Sequence, residues 1–488
     1  VQTAQEILLS SVSAAYLTSP NLLTLMISGS IDLALSRGTG APTAWAFSTF
    51  AFIEAVIRGR LERGVHFARL ARETLRRSGG GQFACRVELN IVGFVESLQG
   101  RLADIPDTFE RICQQGITDG DWEYAVLSAN NVLMFGIGTA RSLEELADTA
   151  DRLVATCADL GHRRHFADLR LHAQLVESLR SSDADAGALS GRHFRSDELE
   201  GLCRDFRDPS LKGSLYSSQT VVYAHLGDFE KAVEAADQME PYLAGLPGAP
   251  AQYWHHLYAG IARAWMARSH ASRPNLLAAA QKSLRELQRL AKISPHNHQH
   301  RVVILGAVLA AVRGDLSGGL QQLERGAALA AEGDFSADGA MAIQMAARLC
   351  LEGGLERAGA GYLEEALVRY GRWGARGAVR RLRALGGDPE QREQLPTTAP
   401  RGTLSPEYQA LLLASQAISE VTGLEDLLRT IVTVLVEGVG ARRGVLTMLD
   451  DGALRVVATG ETEGSRVAVT VHGAGRSMAV EDVLGELA

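Results

Sequence analysis

The residue types best suited to chemistry cluster at His296-Asn297-His298-Gln299-His300. In an extended segment alternate histidines project from one face, and imidazole is a common zinc or nickel ligand. No carboxylate or cysteine follows at ligand spacing, and Pro295 sets the cluster where a helix begins. A polar turn between helices is the better account. His162-Arg163-Arg164-His165 follows Gly161 and reads as a charged helix start rather than a phosphate site. The acidic pairs Glu144-Glu145 and Glu364-Glu365 fall on amphipathic helices, where a solvated face outweighs acid–base catalysis. No GxxxxGK[ST] loop is present to combine a backbone amide cradle with its lysine, and Gly473-Ala474-Gly475 is only a short turn. A Gly-x-Ser-x-Gly elbow, a kinase catalytic loop and a paired cysteine–histidine nucleophile are likewise missing from the sequence. Cys85, Cys113, Cys157, Cys203 and Cys350 lack metal-type spacing. They read as reduced core or surface thiols of a cytoplasmic protein. No catalytic, cofactor-binding or metal-ligating residue is therefore assigned. Trp122, Tyr124, Trp254, Tyr258, Trp265, Tyr370 and Trp373 could line a concave binding surface, with core packing the default.

The elements that would carry these residues are helices. From Val1 to about Leu385 the sequence gives segments of helical periodicity separated by short polar or glycine turns, among them Leu61–Ser78, Phe83–Leu98, Trp122–Phe135 and Leu143–Leu160. A repeat runs through them. Gly59-x-Leu61-x-x-Gly64 joins two helices, and the same glycine, apolar and small pattern recurs at Gly227, Gly314 and Gly353, with a looser copy at Gly100. Separations of 41, 127, 87 and 39 residues are close to whole multiples of one unit of roughly 42. Each glycine is expected to end one helix in a left-handed cap, and the small residue lets the next helix approach. Ala224-His225-Leu226-Gly227-Asp228-Phe229, followed by Ala232, resembles a tetratricopeptide-type turn. Ser181–Arg192 reads as a flexible connection and Leu246-Pro247-Gly248-Ala249-Pro250 as a stiff one. Residues 386–404 have no apolar periodicity and form the expected linker.

Beyond the linker the periodicity changes. Ser405-Pro406 opens one helix, and Thr422-Gly423-Leu424-Glu425 opens a second with capping-box spacing. Gly444–Leu449, Leu454–Thr459 and Arg466–Val471 then read as strands, the first two joined through Asp450-Asp451-Gly452. Three strands leave unpaired edges and a poorly covered face.

Size and charge bound the alternatives. A chain of 488 residues accommodates a repeat array with an appended domain. A formal charge of −8 disfavours nucleic acid as the main partner. No apolar run is long enough to cross a bilayer, so no membrane is expected. A first residue of valine and an end just after a third strand suggest a fragment of something larger.

Ala414-Ser415-Gln416-Ala417-Ile418-Ser419, Leu424-x-x-Leu427-Leu428 and Gly440-Ala441-Arg442-Arg443-Gly444-Val445-Leu446 resemble the opening of a GAF domain, in particular that of large bacterial multidomain signalling kinases. Ala14–Leu22, Gly120–Ala125 and Tyr370-Gly371-Arg372-Trp373-Gly374-Ala375 are similar to stretches of the helical-repeat region of that family. The resemblance implies a mainly α chain: a TPR-like α-solenoid over 1–385, a linker over 386–404, and the N-terminal part of an α+β GAF domain over 405–488. It implies a regulatory and sensory role in a cytoplasmic signal-transduction kinase, with protein partners on the solenoid, a homodimer through GAF and a small-molecule GAF ligand. The family's serine/threonine kinase, ATPase and histidine kinase motifs map onto nothing here, so ATP and Mg²⁺ are expected only in parent domains. The alternative is the helical-repeat arm of a large ATP-dependent transcriptional activator.

Overall fold

The computed structural model describes residues 2–386 except 10, 13–14, 16–19, 80, 183–185, 207–209 and 270–273, and, further on, 425, 428–429, 431–433, 436, 442–450, 453–463 and 466–471. The chain divides into two compact units, Val1–Asp388 and Pro389–Ala488. Of the linker expected over 386–404 only Gly386 is described, and the helix expected at Ser405-Pro406 lies outside the described residues.

The first unit is built from helical hairpins, each an inner helix followed by an outer one, and their sequences differ in kind. The outer helix Leu61–Ser78 (LERGVHFARLARETLRRS) has one narrow face of small apolar residues and a polar remainder, so it covers a core on one side only. Ile105–Asp119, Leu143–Cys157, Phe229–Met239, Leu316–Glu332 and Glu356–Trp373 follow that pattern. The inner helices are covered nearly all round. Ala41–Phe52 buries ten of its residues and continues through a π turn over Ile53–Ile57. Trp122–Thr139, Arg163–Arg180, Pro295–Val312 and Ser336–Glu352 are enclosed in the same way.

The hairpin turns behave in part as the glycine pattern predicts. Gly59, Gly227 and Gly314 have φ of 66°, 73° and 106°, the left-handed region where a side chain is strained. At the fourth turn Gly354 takes this conformation instead of Gly353, and Gly100 is extended. The small residue five positions on has the expected reason. A Cβ on Gly64 would lie 2.6 Å from Ala55 Cβ of the preceding helix. Ser181–Arg192 differs from the flexible connection expected of it. Its described part carries the buried Ala186 and Leu189, because apolar side chains there reach the common core.

The hairpins wind tightly enough for late inner helices to touch early ones. Ser336–Glu352 packs on Trp122–Thr139, and Arg376–Leu385 on Arg163–Arg180. The histidine run is one of these contacts, which corrects its reading as a polar turn. Pro295 starts a helix, and Asn297, His298 and His300 in its first turns are 1%, 3% and 2% exposed. The Asn297 amide nitrogen donates to Ser97 O at 3.0 Å and Gly100 O at 2.9 Å, and its oxygen accepts from Leu102 N at 3.2 Å. Arg101 and Arg141 both pair with Asp334 beside this joint. Arg376 reaches back to Glu144 at 2.7 Å. Glu144 is half-exposed, in keeping with its place on a solvated face, and bridges Arg180 and Arg376 there.

In the second unit β1 (Arg443–Asp450), β2 (Ala453–Glu463) and β3 (Arg466–Val471) form an antiparallel sheet in the order β1-β2-β3. Strand β2 runs four residues beyond the expected end at Thr459 and pairs with β3 from Ala458↔Val471 to Glu463↔Arg466. Helical residues Val432 and Val436 pack on Ala458 with Leu446, Val467 and Val469 around them. Gly444 and Gly460 face these valines, and a Cβ on either would lie 2.5 Å from a valine methyl. Among the described residues the outer edges of β1 and β3 have no strand partner.

Candidate functional site

Four polar residues recur at a constant interval of 41 along the inner helices: Thr49, Asn90, Asn131 and His172. Each sits eight or nine residues before the end of its helical stretch, so stacking the hairpins brings the four into one row. All four line a cavity of about 190 Å³ in the first unit. Its apolar wall is made by Phe52, Phe94, Leu127 and Phe135. The segment through Gly248 closes one side. A Cβ there would lie 3.0 to 3.3 Å from Val56 and Phe94, so only glycine runs this close at a φ of 80°.

The hydrogen bonds of the row are directional. Asn90 donates through Nδ2 to Ser48 Oγ and Thr49 Oγ1, both at 3.1 Å, leaving its carbonyl oxygen as an acceptor. His172 Nδ1 lies 2.8 Å from Asn130 Oδ1 and 3.0 Å from Asp168 O. Both neighbours are acceptors, so Nδ1 carries the proton and Nε2 is left as an acceptor. Burial holds the His172 pKa below the ordinary histidine value, which keeps the ring neutral. Asn131 makes no hydrogen bond to the protein among the described residues. At one end of the cavity Arg164 pairs with Asp168 and donates to Ser210 Oγ at 2.6 Å. His165 Nε2 stands 3.5 Å from Glu123. The charged helix start at His162–His165 therefore contributes two cavity-wall residues, with the Arg164 charge already matched.

A second polar cluster lies deeper, around Asp338. Its carboxylate accepts from Arg301 Nε at 2.8 Å, His300 Nε2 at 2.8 Å and Tyr258 OH at 2.6 Å. The Arg301 guanidinium lies between the Tyr253 and Phe335 rings, at 4.2 and 4.7 Å from their centroids. Burial by itself would raise the Asp338 pKa, but Arg301, His300 and Tyr258 together hold it well below the usual carboxylate range. Asp338 and Arg301 are at most 1% exposed, so the cluster fixes the interior and offers no access to a substrate.

The expected aromatic surface is mostly interior. Trp254, Tyr258, Tyr370 and Trp373 are at most 2% exposed, Trp122 is half-exposed, and of the seven Tyr124 lines the cavity with the polar row. All five cysteines are free and buried. No described helix is long and apolar enough to cross a membrane. The 41-residue polar row is the signal that motif reading missed; it was visible in the sequence as a spacing, though not as a motif.

Acid should loosen this interior. Burial pulls His225, His256 and His300 down to about 4, helped at His256 by His255 and at His300 by Arg301. Unfolded histidine titrates near 6.5. Between those values the unfolded chain binds protons that the folded chain excludes, so stability falls as pH drops from about 6.5 to about 4. The melting temperature of the chain should be level above neutrality and decline through that window. A level profile down to pH 4.5 would show these rings to be solvated.

No family model matches the chain, and no curated protein matches it. Among solved structures it is similar to the crystal structure of a signal transduction ATPase with numerous domains, with a tetratricopeptide repeat sensor, from Pyrococcus horikoshii. Identity is 14% and the TM-score 0.37, over 76% of this chain and 51% of that one. The chain thus spans about half the length of that protein.

Proposed function

We propose that the chain is the regulatory and sensory region of a multidomain bacterial signal-transduction kinase. Helical hairpins over 1–385 act as a scaffold that binds a partner and relays its effect, and the C-terminal sheet belongs to a GAF module that senses and dimerises. The supporting observation is the winding of the first unit. Hairpins more than 190 residues apart in sequence are joined by Asn297 and by Asp334 in its turn, while the first unit keeps a cavity with a row of uncharged polar groups on its wall. A binding event in this cavity would thereby bear on distant hairpins of the array. ATP and Mg²⁺ belong, on this proposal, to the kinase domains of the parent. The test is to incubate the purified chain with radiolabelled ATP and Mg²⁺. No phosphate transfer and no micromolar ATP affinity are expected, and either activity would refute the regulatory assignment.

A further inference from the structure

We infer that the cavity with the polar row is a binding site for a compact, uncharged molecule: an apolar ring system carrying a lactam-type edge, with one N–H donor beside one carbonyl acceptor. The inference rests on reading this cavity as a recognition site, but not on the kinase parentage. Three observations carry it.

The first is size and wall chemistry. An apolar cavity of about 150 Å³ accepts benzene, and this one, at about 190 Å³, is somewhat larger and has phenylalanine rings at Phe52, Phe94 and Phe135. One fused ring pair is the matching scale, and aromatic walls favour a flat ligand. The second is charge. Arg164, a cationic group on the wall, is already neutralised by Asp168, and His172 is neutral. An ionic ligand would lose its hydration without gaining a counter-charge, whereas an uncharged one loses little. The third is the pattern of open hydrogen-bond positions. Asn131 offers an amide donor and an amide acceptor side by side, flanked by the Asn90 carbonyl oxygen and the second nitrogen of His172. A primary amide pairs with a lactam edge through two parallel hydrogen bonds, one in each direction. An alcohol or a simple hydrocarbon satisfies at most one of them.

The test uses the full chain with oxindole, a bicyclic lactam, and indane, which has the same ring outline without polar atoms. Binding is read by calorimetric titration. Oxindole should bind at least tenfold more tightly than indane. Asn131→Leu, close to isosteric, should abolish that preference by weakening oxindole binding, and Leu127→Trp should fill the cavity and remove binding of both. Equal affinities for the two compounds, a preference that survives Asn131→Leu, or no binding of either at millimolar concentration would overturn the inference. If Leu127→Trp fails to fold by circular dichroism, the comparison of wild type with Asn131→Leu decides alone. This outcome is independent of the phosphate-transfer assay, so either proposal can fail without the other.

Discussion

Asp338→Ala is expected to destabilise the helical unit by about 3–5 kcal/mol, the cost of leaving a buried charge without its partner. The substitution strands the charge of Arg301, which is 0% exposed and keeps only its bonds to Asn297 O and His298 Nδ1. It also removes the acceptor for His300 Nε2 and for the Tyr258 hydroxyl. Urea unfolding followed by tryptophan fluorescence measures the loss, since Trp254 and Trp373 lie in the same core. The origin of the loss is testable as well. Replacing both members, as in Asp338→Leu with Arg301→Met, removes the stranded charge and should recover much of the stability lost by Asp338→Ala. A double variant as unstable as the single one would mean that packing at residue 338, not charge, holds this region.

The second large effect concerns the joint between distant hairpins. Asn297→Leu keeps the side-chain volume but leaves Ser97 O and Leu102 N without their side-chain partner and takes one of two contacts from Gly100 O. Each buried orphan costs roughly 1–3 kcal/mol, and a total of about 3 kcal/mol is expected once His296, which also contacts Gly100 O at 2.8 Å, retains its bond. The signature should be local. Backbone amides around residues 97–102 and at the start of Pro295–Val312 should exchange with solvent faster, while those of the outer helix Glu356–Trp373 stay protected. Uniformly faster exchange through the unit would show that Asn297 acts on global stability rather than on this joint. The same variant bears on the relay proposed above, because a joint that opens alone is one that a ligand could also shift.

Much of the architecture was legible in the order of residues. Leu61–Ser78 has its small apolar residues on one helical face and appears at its expected bounds, because an outer helix needs only local periodicity to find its buried side. Gly59 and Gly64 announced a hairpin for an equally local reason: a left-handed cap followed by a close helix contact. The strands of the second unit were readable too, with β2 extended because its pairing to β3 continues past Thr459.

The histidine run shows where such reading stops. Its composition suggests a solvated turn, yet His298 and His300 are interior: Asp338 holds His300, Arg301 meets His298 Nδ1, and the rings pack on Tyr253 and Phe335. The partners of Asn297 are about 200 residues away, and no local pattern encodes a contact of that kind. The polar row lies between these cases. The 41-residue interval from Thr49 to His172 is a property of the sequence alone, as are the helical hairpins that carry it. That those four side chains share one cavity, with phenylalanines opposite and Gly248 at its side, was decided only by the pitch at which the hairpins stack. Pitch follows from the packing of small residues such as Gly64 against the preceding helix, summed over the whole array, and so it exists only in the folded chain.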